Sequence, residues 1–197
     1  MRFSKLIASL LSATALAFAT APNAAQLGVS SVTASSTFFT YDSINLINGN
    51  GLSGNLHSGD FTTKWMTNNT PTGWLVFDLG GIYNVATSSV WNYGEGCCDV
   101  NRSTRDLNVE GSLDGISYFN IASFLLSKPV GDPFAGEILS LNATARYFRF
   151  NLNSNYGASY IGLGEVQFEG GAVPEPGALA LLALGLVGVA AARARKQ

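Results

Sequence analysis

One histidine, His57, two adjacent cysteines, Cys97 and Cys98, and thirteen carboxylates are the groups in this 197-residue chain that could act chemically on their own. His57 lies in a polar stretch and reads as a solvated loop residue. No nucleophile-elbow pattern accompanies it, and there is no histidine cluster of metal-binding spacing. The acidic residues are scattered, so no pair is placed at the separation a glycosidase requires. The pattern points away from an enzyme. The cysteines are neighbours, about 3.8 Å apart across a trans peptide, which is below the usual disulfide range. A strained vicinal disulfide is the simplest outcome for them. Two intermolecular bridges or a soft-metal contact are the alternatives.

The elements that must position these groups begin with the two ends. Arg2 and Lys5 precede an apolar run from Leu6 to Phe18 and then small residues. This is the three-part pattern of a secretory signal peptide, and the run is short for a membrane span. Cleavage after Ala25 is expected, with Ala19 as the alternative, because a cut after Ala21 would leave Pro22 at the new terminus. At the other end, Val173-Pro174-Glu175-Pro176 leads into an apolar stretch over residues 177–192 and then Arg193, Arg195 and Lys196. That stretch falls slightly short of the roughly 20 residues a spanning helix needs. Snorkelling basic residues and local thinning can cover the deficit, and the basic end should stay cytoplasmic.

Motif, apolar helix and basic tail, in that order, resemble the PEP-CTERM sorting signal of Gram-negative bacteria. The resemblance implies processing by an exosortase near the motif, with the inner membrane as a transient station. Release toward the cell surface or matrix follows, in cells that make exopolysaccharide. A plain tail anchor that stays in the inner membrane is the alternative. Residues 1–25 and 172–197 are thus read as signals flanking one domain, residues 26–171. Without them, six basic residues face twelve acidic ones, a formal charge of −6 against −2 for the whole chain. An exported acidic domain suits neither nucleic acid nor an anionic membrane. It suits a neutral ligand, a metal ion or a basic partner.

Within the domain, charged residues are sparse (12% of the chain) and glycines number 22, which favours short strands joined by turns. The centre is Gly73-Trp74-Leu75-Val76-Phe77-Asp78-Leu79-Gly80-Gly81, apolar on both faces and therefore expected between two layers. Residues 88–93 and 105–112 read as further strands, and residues 29–35 as the first. Asp114-Gly115 marks a hairpin into residues 118–124. Residues 40–72 show little regular periodicity, with turn chemistry throughout residues 45–54, and form a loop of functional or ion-stabilised length with Trp65 as its anchor. Phe148, Phe150 and Leu152 alternate inward against Arg149 and Asn151. In the last strand, residues 161–168, a change of register predicts a bulge at Gly164.

The order of Leu46-Ile47-Asn48-Gly49, Trp65, Trp74 to Gly80, Arg105 to Gly115, Ala145 to Phe150 and Ile161 to Phe168 resembles the discoidin family, also called F5/8 type C or galactose-binding-like domains. The resemblance implies an all-β jelly-roll sandwich. Calcium-bearing members hold the ion with carbonyls of the loop before the lone Trp and a glutamate in the last strand. Glu165 matches that glutamate, Asn48 stands where aspartate is common, and Asp60 could add charge. Such a calcium would staple the long loop. Alternatively, Glu165 pairs with a neighbouring arginine. The resemblance also puts the ligand face on the loops at one end, with Gly94 to Arg102 as the tip, bearing Cys97 and Cys98. Asn92, Tyr93, Arg102, Arg105, Tyr156 and Tyr160 are the candidate ligand residues, offering aromatic faces, amides and guanidinium groups that suit sugar rings. Arg105 reads first as a structural brace of the sandwich and second as a ligand residue. The implied function is non-catalytic binding of extracellular carbohydrate or exopolysaccharide; the alternative is a matrix-structural or adhesion module that binds protein.

Overall fold

The computed structural model describes residues 24–94, 96, 99–173, 184–187 and 193–194. Among them, eleven strands run in chain order: β1 (Ala25–Leu27), β2 (Ser31–Ala34), β3 (Leu52–Ser53), β4 (Leu56–His57), β5 (Trp65–Met66), β6 (Gly73–Asn92), β7 (Thr104–Ser112), β8 (Phe119–Leu125), β9 (Phe134–Ala135), β10 (Glu137–Asn155) and β11 (Gly162–Ala172). Cys97, Cys98, Pro174, Glu175, Pro176 and the residues before Ala24, where a signal peptide is expected, lie outside the described residues. No helix among the described residues is long and apolar enough to cross a membrane.

The expected central strand and the one after it are a single strand, β6, of 20 residues. It pairs antiparallel with β10 from Gly73↔Leu152 to Val90↔Glu137, forming one long ribbon. Gly80, at φ 74°, and a register shift between Ala145 and Tyr147 fall near the middle of that ribbon. There it folds over, because the neighbours change. The first half of β6 takes β2 as its other partner, and the second half takes β11. One layer is thus β1, β11, the second half of β6 and the first half of β10. The other is β2, the remaining halves of β6 and β10, then β7 and β8.

The inner faces of the two layers meet at Phe168 of β11. Its ring packs 5.5 Å from Phe77, 5.1 Å from Phe148 and 6.0 Å from Phe150, all on the opposite layer. These rings are fully buried with Leu75, Leu152 and Val166, and this cluster is the core. The result is the jelly-roll β-sandwich expected. Phe148, Phe150 and Leu152 point inward, as their alternation required. One expectation needs correction: β6 is not covered on both faces. Trp74, Val76 and Asp78 are only half-buried on its outer side. Arginines from β10 shield that side, Arg149 lying 5.5 Å over Trp74 and Arg146 pairing with Asp78 at 2.8 Å.

The bulge at Gly164 is present. Register shifts between Leu163↔Asn92 and Glu165↔Trp91, and a Cβ on Gly164 would sit 3.2 Å from the carbonyl oxygens of both Asn92 and Trp91. Between β2 and β6 the long loop is more ordered than its turn-rich composition suggested. Two 3-10 turns, each capped by an aspartate (Asp42 and Asp60), flank the β3–β4 hairpin. Trp65 is its anchor, fully buried, with its indole N–H on the Ser36 carbonyl at 3.1 Å. The Asp114-Gly115 hairpin joins β7 to β8, with the Asp114 carboxylate accepting the Ile116 and Ser117 N–H groups.

Candidate functional site

At one end of the sandwich, Asn92 at the close of β6 ties three segments together. Its amide nitrogen donates to the Thr104 and Ser127 carbonyls at 2.7 and 2.9 Å, and its oxygen accepts the Thr104 and Tyr93 N–H groups. Asn92 is therefore a buried organiser of the end, with no donor or acceptor turned outward. Tyr93, expected as an exposed ligand aromatic, is fully buried, and its hydroxyl accepts from the Arg102 guanidinium at 3.2 Å. Next to it, Asp99 caps the short turn Val100–Arg102 by accepting the Asn101 N–H. That cap fixes Asn101, whose carbonyl accepts the Tyr156 N–H at 3.0 Å and whose side chain accepts Lys128 Nζ at 3.1 Å.

The segment before β11 completes this surface. Gly157, at φ 106°, and the Asn155 amide, which donates to the Ala158 and Tyr160 carbonyls, shape a turn that presents Tyr156 and Tyr160. Arg102 lies 5.5 Å over the Tyr160 ring and Lys128 lies 5.5 Å over Tyr156. The Tyr156 hydroxyl donates to the Leu126 carbonyl at 2.6 Å, leaving the ring standing at the rim. Arg105 is exposed at the start of β7 and so does not brace the layers. Tertiary structure thus brings Arg102, Tyr156 and Tyr160 together with Asn101 and Lys128. It also adds an aromatic group that the sequence did not single out: Phe38, Phe39, Tyr41 and Phe61. Phe38 meets Tyr160 at 5.1 Å, and Tyr41 links Phe38 to Phe61. Their signal in the sequence was two adjacent phenylalanines and a tyrosine in an otherwise polar stretch.

The calcium candidates divide. Asn48 and Glu165 line one cavity of about 200 Å³ beside β1, with Leu27, Gly28, Ile47 and Gly49. Glu165 is 1% exposed. One carboxylate oxygen accepts the Gly49 N–H at 3.2 Å, and the other has no hydrogen-bond partner. Burial pushes its pKa up to about 8, against the opposing pull of that N–H. No arginine among the described residues pairs with it, so the alternative reading of Glu165 is corrected. Asp60 does not join them: its exposed carboxylate accepts the Thr62 N–H and hydroxyl at 2.9 Å. The orphaned carboxylate oxygen of Glu165, in a cavity that Asn48 also lines, is a group a hard cation could take. Among the described residues no group of three His, Cys, Asp or Glu side chains stands close enough to hold a metal.

His57 is also not where expected. It is fully buried, Nδ1 facing the Ser58 carbonyl at 2.8 Å and Lys64 Nζ at 3.3 Å. Burial and the neighbouring ammonium lower its pKa to about 4. A neutral imidazole enclosed beside a buried lysine braces the β4 strand and has no open face toward a substrate.

Residues 31–166 match the model of the F5/8 type C domain, and residues 172–196 match the PEP-CTERM protein-sorting motif. No curated protein sequence matches the chain. Among solved structures, the chain resembles the CBM32 of AlyQ in complex with 4,5-unsaturated mannuronic acid. That likeness has 22% identity and a TM-score of 0.52, covering 73% of this chain and 97% of the other. A fucolectin from striped bass (Morone saxatilis) serum is similar at 19% identity and TM-score 0.56, covering 73% and 46%. A family 89 glycoside hydrolase from Clostridium perfringens, in complex with PUGNAc, is similar at 22% identity and TM-score 0.53. The match takes in 75% of this chain but only 15% of that hydrolase.

Proposed function

The chain belongs to the F5/8 type C domain family, and on that premise we propose that it is an exported, non-catalytic module that binds polysaccharide at the cell surface or in the extracellular matrix. The observation that carries this reading is the loop end itself. Arg102 and Lys128 are each laid over a tyrosine, with the Asn101 amide between them, on a rim fixed by caps and turns. Planar donors beside aromatic surface recognise the hydroxyls and C–H faces of sugars. The structural neighbours, one in complex with 4,5-unsaturated mannuronic acid and another a fucolectin, support the same class of ligand.

The sorting motif supports delivery: export, a transient hold in the inner membrane, and processing by an exosortase of a Gram-negative cell. Calcium at Glu165 and Asn48 is part of the proposal as a structural staple for the loop, supplying positive charge to the orphaned carboxylate oxygen. The test is affinity electrophoresis of the full-length chain in gels containing exopolysaccharide from the producing cell, with alginate and galactan gels alongside. Retardation that Arg102→Ala abolishes is expected. Migration unchanged in all three gels would move the function to a protein partner.

A further inference from the structure

The turn that opens the long loop holds a residue that neither the fold nor the tyrosine rim accounts for. Residues 38–41 form a tight turn, closed by the Tyr41 N–H on the Phe38 carbonyl at 3.0 Å. It is pinned to β5 by the Phe38 N–H on the Met66 carbonyl at 3.1 Å. Phe39 occupies its second position at φ 46°. Turns with positive φ at that position are built with Gly, Asn or Asp, because a Cβ there crowds the neighbouring carbonyl. The other two non-glycine residues with positive φ among the described residues, Asn69 and Asn142, are asparagines that tolerate it. Phenylalanine has no polar side chain with which to do so.

Nor is it held there by packing. Its side chain is 85% exposed, and its ring contact is edge-on to Phe38, centroids 4.6 Å apart. A bulky aromatic that is both strained and exposed points to a task outside folding. Its neighbours indicate which. Phe38 leads to Tyr160, and Tyr160 lies under Arg102, so Phe39 is the outer edge of a ring cluster continuous with the polar rim. On that rim the tyrosine faces are already engaged: Tyr160 by Arg102, Tyr156 by Lys128, with Tyr93 buried. An open aromatic face remains on Phe39, with Phe61, 46% exposed, beyond Tyr41.

We propose that Phe39 is the platform on which a pyranose ring of the bound polysaccharide stacks. Its face meets the sugar C–H groups while Arg102, Asn101 and Lys128 take the hydroxyls. This rests on the carbohydrate-binding reading above and supplies the stacking residue that reading lacked. The positive φ is what turns the ring outward, and the strain is the cost of presenting it.

Three full-length chains decide it: native, Phe39→Gly and Phe39→Trp. Each is run in the exopolysaccharide, alginate and galactan gels, and each is melted by circular dichroism. Phe39→Gly should melt at or above the native temperature, since glycine accepts the backbone, yet lose roughly tenfold or more in affinity. Phe39→Trp should restore retardation. If Phe39→Gly is retarded like the native chain, the platform is wrong while the carbohydrate reading stands. A lower melting temperature for Phe39→Gly would make the residue structural and also overturn the platform. A native chain retarded by none of the polymers sinks both proposals together. A fourth arm floats the chains with phosphatidylethanolamine–phosphatidylglycerol vesicles. Flotation lost in Phe39→Gly, without retardation in any gel, would assign the ring to lipid and overturn the sugar.

Discussion

The outer face of the second layer and the loop end both place cations over aromatic rings, but on different backbones. On the sheet, Arg149 lies 5.5 Å over Trp74 and 5.9 Å from Tyr118, while Arg146 makes a two-point bridge to Asp78 at 2.8 and 2.9 Å. Each of these side chains except Tyr118 leaves a strand of the β6–β10 ribbon, so its position is set by the register. At the loop end the same pair chemistry, Arg102 on Tyr160 and Lys128 on Tyr156, stands on residues held by an aspartate cap and an asparagine turn. The sheet cluster covers the outer side of β6, and Asp78 neutralises Arg146 within it. The loop cluster leaves Phe39 uncovered at its edge. What separates cover from recognition is therefore the scaffold beneath the pair, since the contact distances over the rings are alike.

The comparison is abolished outright by Phe168→Ala, which removes the ring between the two layers. A loss of about 3–5 kcal/mol in denaturant unfolding is expected, with both clusters lost together. Asn92→Ala sharpens the contrast. It leaves buried partners around Thr104 and Tyr93 unsatisfied, at about 1–3 kcal/mol for each group orphaned. Hydrogen exchange should then show residues 99–104 and 126–128 opening while the β6–β10 ladder stays protected.

A smaller effect is expected outside both regions, at Glu165 of β11. Its pKa rises from 4.5 to about 8 on folding, so the folded state holds the extra proton between those values. Stability should fall as pH rises through that window. His57, lowered from 6.5 to about 4, works in the other direction, adding stability as pH rises from 4 to 6.5. The interval from pH 6.5 to 8 thus isolates Glu165. There the melting temperature should decline, and Glu165→Gln or added calcium should level the slope. A decline that persists in Glu165→Gln would show that another group is responsible. The smallest expected effects distinguish the two cation sites directly. Arg149→Ala should lower stability by about 0.5–1 kcal/mol and leave retardation by polysaccharide intact. Arg102→Ala should abolish the retardation and lower stability by about 0.5–1.5 kcal/mol, since the buried Tyr93 hydroxyl loses the Arg102 donor.

The elements legible in the residues alone are those whose signals are local. Alternation over Phe148, Phe150 and Leu152 set the inner face of β10, because side chains on a strand have a period of two. A change of register within the last strand located the Gly164 bulge. The residue types and order at the C-terminal end marked the PEP-CTERM sorting motif. Elsewhere the local signal misled. Glycines at 80 and 81 read as the end of a strand, whereas they fall where a continuous strand folds over. Both faces of β6 read as buried because Trp74 and Val76 are apolar, and the long stems of Arg146 and Arg149 provide the outer cover instead.

At the site the division is sharper. The resemblance to the discoidin family pointed to Arg102, Tyr156 and Tyr160 at the loop end, but not to Asn101, Lys128 or Phe38, which join them there. It also singled out Glu165 and Asn48, which converge on one cavity. Only the tertiary structure decided which of these groups face solvent. Tyr93 and Tyr160 are the same residue type in comparable settings, yet Tyr93 is enclosed and Tyr160 stands at the rim. His57, in a stretch as polar as any loop, is enclosed beside Lys64. Phe39 stands exposed on a backbone in the left-handed region. Exposure depends on what distant strands lay over a residue and on the φ angle that aims it. Neither quantity is written in the residues alongside it.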